Sequence, residues 1–285
     1  MSFLLDPFAA SFVQRALLTG ALVAVICGVV GTWVVLRGMA FLGEAMAHGM
    51  LPGIAVATLL GIPPVLGAAV SAAGMSVGIS MLQRRERLSA DTSIGLLFVA
   101  SLALGVIIIS ASRSFATDAT AILFGDILAA SAADIAMLAV VALITLVVAI
   151  GGHRSFVAVT VDPRQAQLLG LRPRVAHALL VGLITLAVVA AYQAVGSLLV
   201  VGMLLGPAVA AGRWTTRIPS TMALAGLIGT AAVALGLLIS WHAGTAAGAT
   251  VAFVAILSAV VSALAHRILS PLAQGRLRVR AERNS

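Results

Sequence analysis

The sequence predicts an all-α polytopic integral membrane protein of eight to nine transmembrane helices, and three observations predict it. The 285-residue chain is 61% hydrophobic and only 9% charged, where a soluble domain carries about 25% charged residues. Its mean hydropathy is +1.17. The apolar runs are continuous rather than alternating, and each is about twice the ~10 residues of a barrel strand, which excludes a transmembrane β-barrel. Nine crossings of about 20 residues consume roughly 180 residues. What is left suffices for short loops, one longer loop and tails, so residues 1–285 read as a single transmembrane domain.

The runs fall at 12–36, 39–60, 63–82, 92–112, 133–152, 175–192, 195–212, 219–241 and 244–266. The first reads as a span rather than a cleaved leader, because Asp6 stands where a basic region belongs and 12–36 is too long for a leader's apolar core. Arg37-Gly38 ends it, and Gly61-Ile62-Pro63-Pro64 separates the second run from the third. Arg84, Arg85, Glu86 and Arg87 end the third, and Arg113 ends the fourth. Residues 118–131, with Asp118, Gly125 and Asp126, are shorter and mixed, and read as an interfacial or re-entrant piece. A polar stretch at 153–174 follows the fifth run. Tyr192-Gln193, then Arg213 to Arg217 with Pro219, then Trp241-His242-Ala243-Gly244 mark the remaining breaks. Three Gly-x3-Gly pairs, Gly74/Gly78, Gly202/Gly206 and Gly244/Gly248, let backbones approach closely. Packing within one bundle is the expected use of each.

Charge sets the orientation. All 17 basic residues are arginine, against nine acids, for a net charge of +8. If nine spans alternate, one side receives Arg37, Arg84, Arg85, Arg87, Arg154, Arg164, Arg172, Arg174, Arg213, Arg217, Arg267, Arg276, Arg278, Arg280 and Arg283, and the other keeps Arg15 and Arg113. Positive-inside bias places the first group in the cytoplasm. It also explains the basicity better than nucleic-acid binding does. The expectation is a multi-pass plasma (inner) membrane protein with the 153–174 stretch and the C-terminus cytoplasmic. The N-terminus is then external, although an eight-span arrangement with the first residues at the interface stays open. The lone Cys27 cannot form a disulfide within the chain.

Only Arg15, Glu44 and Asp134 carry formal charge inside the runs, and Arg15 and Asp134 lie near span ends. With a span starting at Gly38, Glu44 sits about 9 Å and His48 about 15 Å deep. An intramembrane acid is costly unless it is paired or faces a wet cavity, so it marks a functional position. Glu44 and His48 are i and i+4, one above the other on one helix face. A carboxylate and an imidazole suit a divalent metal such as zinc, manganese or iron. Ala45, Ala47 and Gly49 leave room beside them, and Pro52-Gly53 weakens the helix just beyond. The same spacing also suits a Glu–His hydrogen bond that only locks two helices, and two donors do not complete a coordination sphere. His242, beside Trp241 at an external span end, is a weaker pathway candidate. His153, His177 and His266 fall at cytoplasmic boundaries, and Met39, Met46, Met50 and Met203 read as packing. The chain has no lysine, hence no Walker A motif, and neither His-Glu-x-x-His nor Gly-x-Ser-x-Gly occurs.

Several stretches carry a family resemblance. They are Val34-Val35-Leu36-Arg37-Gly38-Met39 with Gly43-Glu44-Ala45-Met46-Ala47-His48-Gly49-Met50-Leu51-Pro52-Gly53, then Ala90-Asp91-Thr92-Ser93-Ile94-Gly95 and Leu123-Phe124-Gly125-Asp126-Ile127-Leu128. Asp162-Pro163 leading to Leu169-Gly170 follows, then Val195-Gly196-Ser197-Leu198-Leu199-Val200 with Leu205-Gly206-Pro207-Ala208, and Ala243-Gly244-Thr245-Ala246-Ala247-Gly248. In order and spacing these resemble the membrane-spanning permease subunits of zinc/manganese-type metal-ion ABC importers, along nearly the whole chain. One departure is Glu44, where many relatives carry Asp.

The resemblance implies a permease homodimer in the lipid bilayer, separate cytoplasmic ATPase subunits and an extracytoplasmic metal-binding protein. It implies no permanently bound cofactor and no catalysis by this chain, with zinc or manganese as cargo. Glu44 and His48 would line the path. It also gives the polar stretch a role. Asp162 as a cap, Pro163 at the first helical position and Gly170 as a stop frame a short cytoplasmic helix carrying Arg164 and Gln167, which would couple to the ATPase. Two other readings are a stand-alone ion- or proton-coupled secondary transporter with Glu44 as proton carrier, and an intramembrane metallohydrolase using Glu44 and His48. The first would favour inverted-repeat symmetry, which the chain does not show; the second needs a third ligand and an activated water.

Overall fold

The computed structural model describes residues 7, 10–85, 89–111, 127–168 and 170–282. Eleven helices make up the fold there: α1 Ser11–Leu36, α2 Ala40–Gly49, α3 Leu51–Leu59, α4 Pro64–Arg85, α5 Ala90–Ser110 and α6 Ala132–Val161. Then come α7 Pro163–Leu168, α8 Pro173–Val195, α9 Ser197–Ala211, α10 Ile218–Ala243 and α11 Ala247–Glu282. Among the described residues, eight segments are long and apolar enough to cross a membrane, and α2 with α3 form one of them, Ala40–Leu59. The expected run at 195–212 is instead the 15-residue α9, about 22 Å at 1.5 Å per residue against ~30 Å of hydrocarbon. Of the expected interfacial piece, 127–129 forms a single 3₁₀ turn, while 118–126 lies outside the described residues.

Local chemistry explains the breaks. At Gly38 (φ +63°) the Met39 N–H donates to Val34 O at 2.9 Å and the Gly38 N–H to Val35 O at 3.1 Å. This closes α1 with a Schellman motif, whose left-handed residue is sterically cheap only for glycine. Pro52 occupies the first turn of α3, where its missing N–H costs nothing, and so divides the second crossing at Met50. Ser131 and Asp134 form a reciprocal capping box that starts α6. Asp134 therefore satisfies a helix end rather than standing alone in the bilayer.

Close contacts fix the direction of each pass. Phe12 stacks on Trp241 at 6.0 Å, and a Cβ on Gly28 would come 2.6 Å from the Gly226 nitrogen, so α1 and α10 are antiparallel. The Ser240 Oγ donates to Thr245 O at 2.6 Å across the α10–α11 turn. Along α9 and α11, Gly202 meets Ala252, Gly206 meets Ala255, and the Ser262 Oγ donates to Ala210 O at 2.9 Å. These two run parallel. The short α9 thus returns toward the end that holds Leu36. Trp33 packs on His153 and Phe156, and Trp214 donates to Ser262 at 2.7 Å and lies edge-on to His266. Arg37, Arg154, Arg213 and Arg267 therefore gather toward one end of the bundle, and Trp241 marks the other.

The core lies around α1, whose Ile26, Cys27, Val30 and Trp33 are fully buried. By contrast, α4 and α5 turn most of their apolar surface outward. Of the three glycine pairs, Gly202/Gly206 packs inside the bundle as expected, whereas Gly74 faces open space.

Candidate functional site

The site begins with α2. Its buried side presents Leu42, Ala45, Met46 and Gly49 to the core, and helical periodicity then turns Phe41, Glu44 and His48 to the opposite, open flank. His48 Nε2 lies 3.3 Å from Glu44 Oε1, with the two side chains 22% and 40% exposed respectively. Across from the pair stands Phe98 of α5, with ring centroids 5.7 Å from His48 and 5.5 Å from Phe41. The floor is set by close packing: a Cβ on Gly43 would strike Leu204 of α9, so the short helix lies directly behind the pair.

The Glu44–His48 contact is contained within one helix. It joins α2 to no second helix, and His48 meets α5 at the Phe98 ring. No group of three or more His, Cys, Asp or Glu side chains that could hold a metal occurs among the described residues. The pair brings one carboxylate and one imidazole together on a partly exposed helix face. Arg37 lies seven residues earlier at the α1–α2 turn, and partial burial lowers its pKa from the usual guanidinium value.

The other candidates separate in space. His242 is exposed at the Trp241 end, its Nδ1 2.9 Å from Leu238 O, whereas Glu44 is one turn from the opposite end of its crossing. His153 and His266 pack on tryptophans. Met46 is fully buried behind the pair and accepts from Ser76 Oγ at 3.8 Å. The expected short helix is present as α7. It starts at Pro163, and the Asp162 carbonyl accepts from the Ala166 N–H at 3.0 Å. At its end Gly170 takes φ +72°, with Leu171 N–H donating to Ala166 O and Gly170 N–H to Gln167 O. That is the same Schellman closure that ends α1. The side chains of Pro163 and Arg164 lie outside the description, and Gln167 is exposed.

Three neighbours of the pair escaped the sequence. Phe41 was within reach of it, three residues before Glu44 on the same face. Phe98 and Leu204 come from distant segments and carry no local signal.

Comparison with known proteins places this geometry. The model of the ABC 3 transport family matches residues 9–266. The manganese transport system membrane protein MntC of Listeria monocytogenes is 36% identical over 255 residues, covering 90% of this chain and 91% of that protein. The chelated iron transport system membrane protein YfeD of Yersinia pestis is 33% identical over 269 residues, covering 94% and 90%. Among solved structures, PsaBC from Streptococcus pneumoniae in complex with Fab superposes with a TM-score of 0.80 at 32% identity, covering 91% of this chain and 94% of that one. Matched over nearly its whole length by the family model and by relatives above 30% identity, the chain belongs to the ABC 3 transport family.

Proposed function

We propose that this chain is the membrane-spanning permease subunit of an ABC importer for a divalent transition metal ion, with manganese as the first choice of cargo. The observation that carries the reading is the Glu44–His48 half-site on the open flank of α2, in a chain whose relatives include a manganese transport protein. Carboxylate and imidazole donors accept manganese, iron and zinc alike. The relatives named for manganese and for chelated iron favour the first two over zinc.

The half-site defines what the partners supply. Two copies related by a two-fold axis, with their α2 flanks facing, bring two carboxylates and two imidazoles to one passage. The cation's lost hydration is then offset by two negative charges. Binding stays weak enough for release, because neither copy encloses the ion alone. The apolar outward faces of α4 and α5 beside the pair suit such an interface. The chain lacks a phosphate-binding lysine, so ATP is hydrolysed on a separate cytoplasmic subunit. α7 is the coupling helix, with Asp162, Pro163, Arg164, Gln167 and Gly170 framing the contact. The arginine-rich end and the C-terminus are cytoplasmic. An extracytoplasmic metal-binding protein delivers the ion to the Trp241 end, where His242 lies near its entry, and the complex resides in the inner membrane.

The test is ATP-dependent manganese uptake into vesicles containing the permease, its ATPase and the binding protein. Glu44→Ala and His48→Ala should each abolish uptake while the ATPase still co-purifies. Wild-type uptake by both variants would refute the half-site.

A further inference from the structure

We infer that a groove between α1, α6 and α10 is a binding site for one anionic phospholipid, seated from the arginine-rich leaflet. α6 and α10 each pack against α1 but have few direct contacts with each other. They diverge around it and leave a cavity of about 520 Å³. That falls within the roughly 300–1,000 Å³ of ordinary small-molecule sites. Buried Val29 lines it, and Ala149 and Gly226 leave depth by offering little or no side-chain bulk. Ile150 and Leu227 stand on the rim at 76% and 67% exposure. The opening therefore faces the hydrocarbon laterally, and none of the residues that line it belongs to α2.

The groove is apolar except at a few points, and its chemistry changes along its length. At the arginine-rich end it reaches His153 and Pro219. His153 also lines an adjoining cavity with Arg154, and Arg217 stands at the N-cap position of α10, two residues before Pro219. Both arginines are exposed. An apolar trough leading to two arginines and an imidazole at the headgroup level matches an acyl chain continuous with a phosphate. A free anion has no use for the trough, and a neutral lipid has none for the arginines. Polar and basic groups clustered at a cytoplasmic helix end are the expected recognition chemistry for acidic headgroups. This inference requires only that the bundle span a bilayer, and holds whatever ion is carried.

Native mass spectrometry of the full chain with its ATPase, extracted in mild detergent and exposed to equal phosphatidylglycerol and phosphatidylethanolamine, tests it. Phosphatidylglycerol should be retained in preference, with Arg154→Gln and Arg217→Gln each reducing retention about fivefold, as expected for about 1 kcal/mol per arginine near a membrane surface. Ala223→Trp fills the groove from an exposed lining position and should abolish retention. Equal retention of the two lipids, or retention unchanged by Ala223→Trp, would overturn the assignment. A photoreactive side chain at exposed Leu227 gives a second readout independent of folding: a lipid adduct supports the site. A crosslink to a second copy of the chain, or to another protein, would make this face a protein interface and refute it.

Discussion

At the scale of single residues, the issue is whether Glu44 supplies charge or only a hydrogen bond. Its contact with His48 at 3.3 Å is made within α2, so losing it frees no second helix. Glu44→Gln keeps the size and can still hydrogen-bond His48, but removes the negative charge that offsets a cation's desolvation. Uptake should fall by well over tenfold, each tenfold step being about 1.4 kcal/mol of cation affinity or barrier. Protein yield should not change, because the side chain is partly exposed. Near-normal uptake in vesicles would return the pair to a structural role. This much was legible in the sequence: one acid deep in an apolar run, with an imidazole at i+4. The aromatic wall was not, because Phe98 reaches His48 from another crossing and its own neighbourhood, Leu96 to Val99, is ordinary lipid-facing sequence.

Elements were legible where turn chemistry and hydropathy coincide, and blurred where they part. Gly38, Gly61 and Gly170 were all flagged as breaks, and each adopts positive φ at a helix end. The fifth apolar run ends at 152, whereas α6 keeps its helical hydrogen bonding to Val161, because backbone hydrogen bonding does not depend on side-chain hydropathy. Conversely, 195–212 is apolar enough for a span although Gly196 (φ 82°, ψ 164°) holds the first residues out of the helix. Composition cannot register that bend. Two substitutions test the elements. Gly170→Pro is incompatible with φ +72°, since proline is held near −65°, and removes the N–H that donates to Gln167. It should unseat the end of α7 and reduce ATPase co-purification severalfold while insertion in the membrane persists. Unchanged co-purification would count against α7 as the coupling element. Gly206→Leu places a side chain against the Ala255 backbone, where neither partner can yield. Overpacking of this kind costs about 1–3 kcal/mol, so the thermal transition in detergent should drop by several degrees, whereas Gly74→Leu, facing open space, should leave it unchanged within one chain.

The whole molecule is ordered by the alternation of its passes. α9 is too short for a full crossing, yet it runs parallel to α11 and toward the arginine-rich end, so it reverses direction as a complete span would. Counting it, the described residues make an odd number of passes, and the first and last helices therefore point the same way. The Phe12 end of α1 therefore lies opposite the C-terminal end of α11, beside Trp241. The fifteen arginines assigned to one side by sequence require the same arrangement, and four of them gather toward one end in the fold. Positive-inside bias then makes a sharp expectation. Cys27 is buried and will not react with an impermeant maleimide, so single added cysteines report cleanly. Arg278→Cys should label in inside-out vesicles and not in intact cells, whereas His242→Cys, exposed at the far end, should label in intact cells. The two positions are joined by a single helix, α11, and must report opposite sides if that helix crosses the bilayer. Labelling of both from the same side would break the crossing. Labelling of Arg278→Cys from outside alone would invert the molecule and move α7 away from any cytoplasmic ATPase.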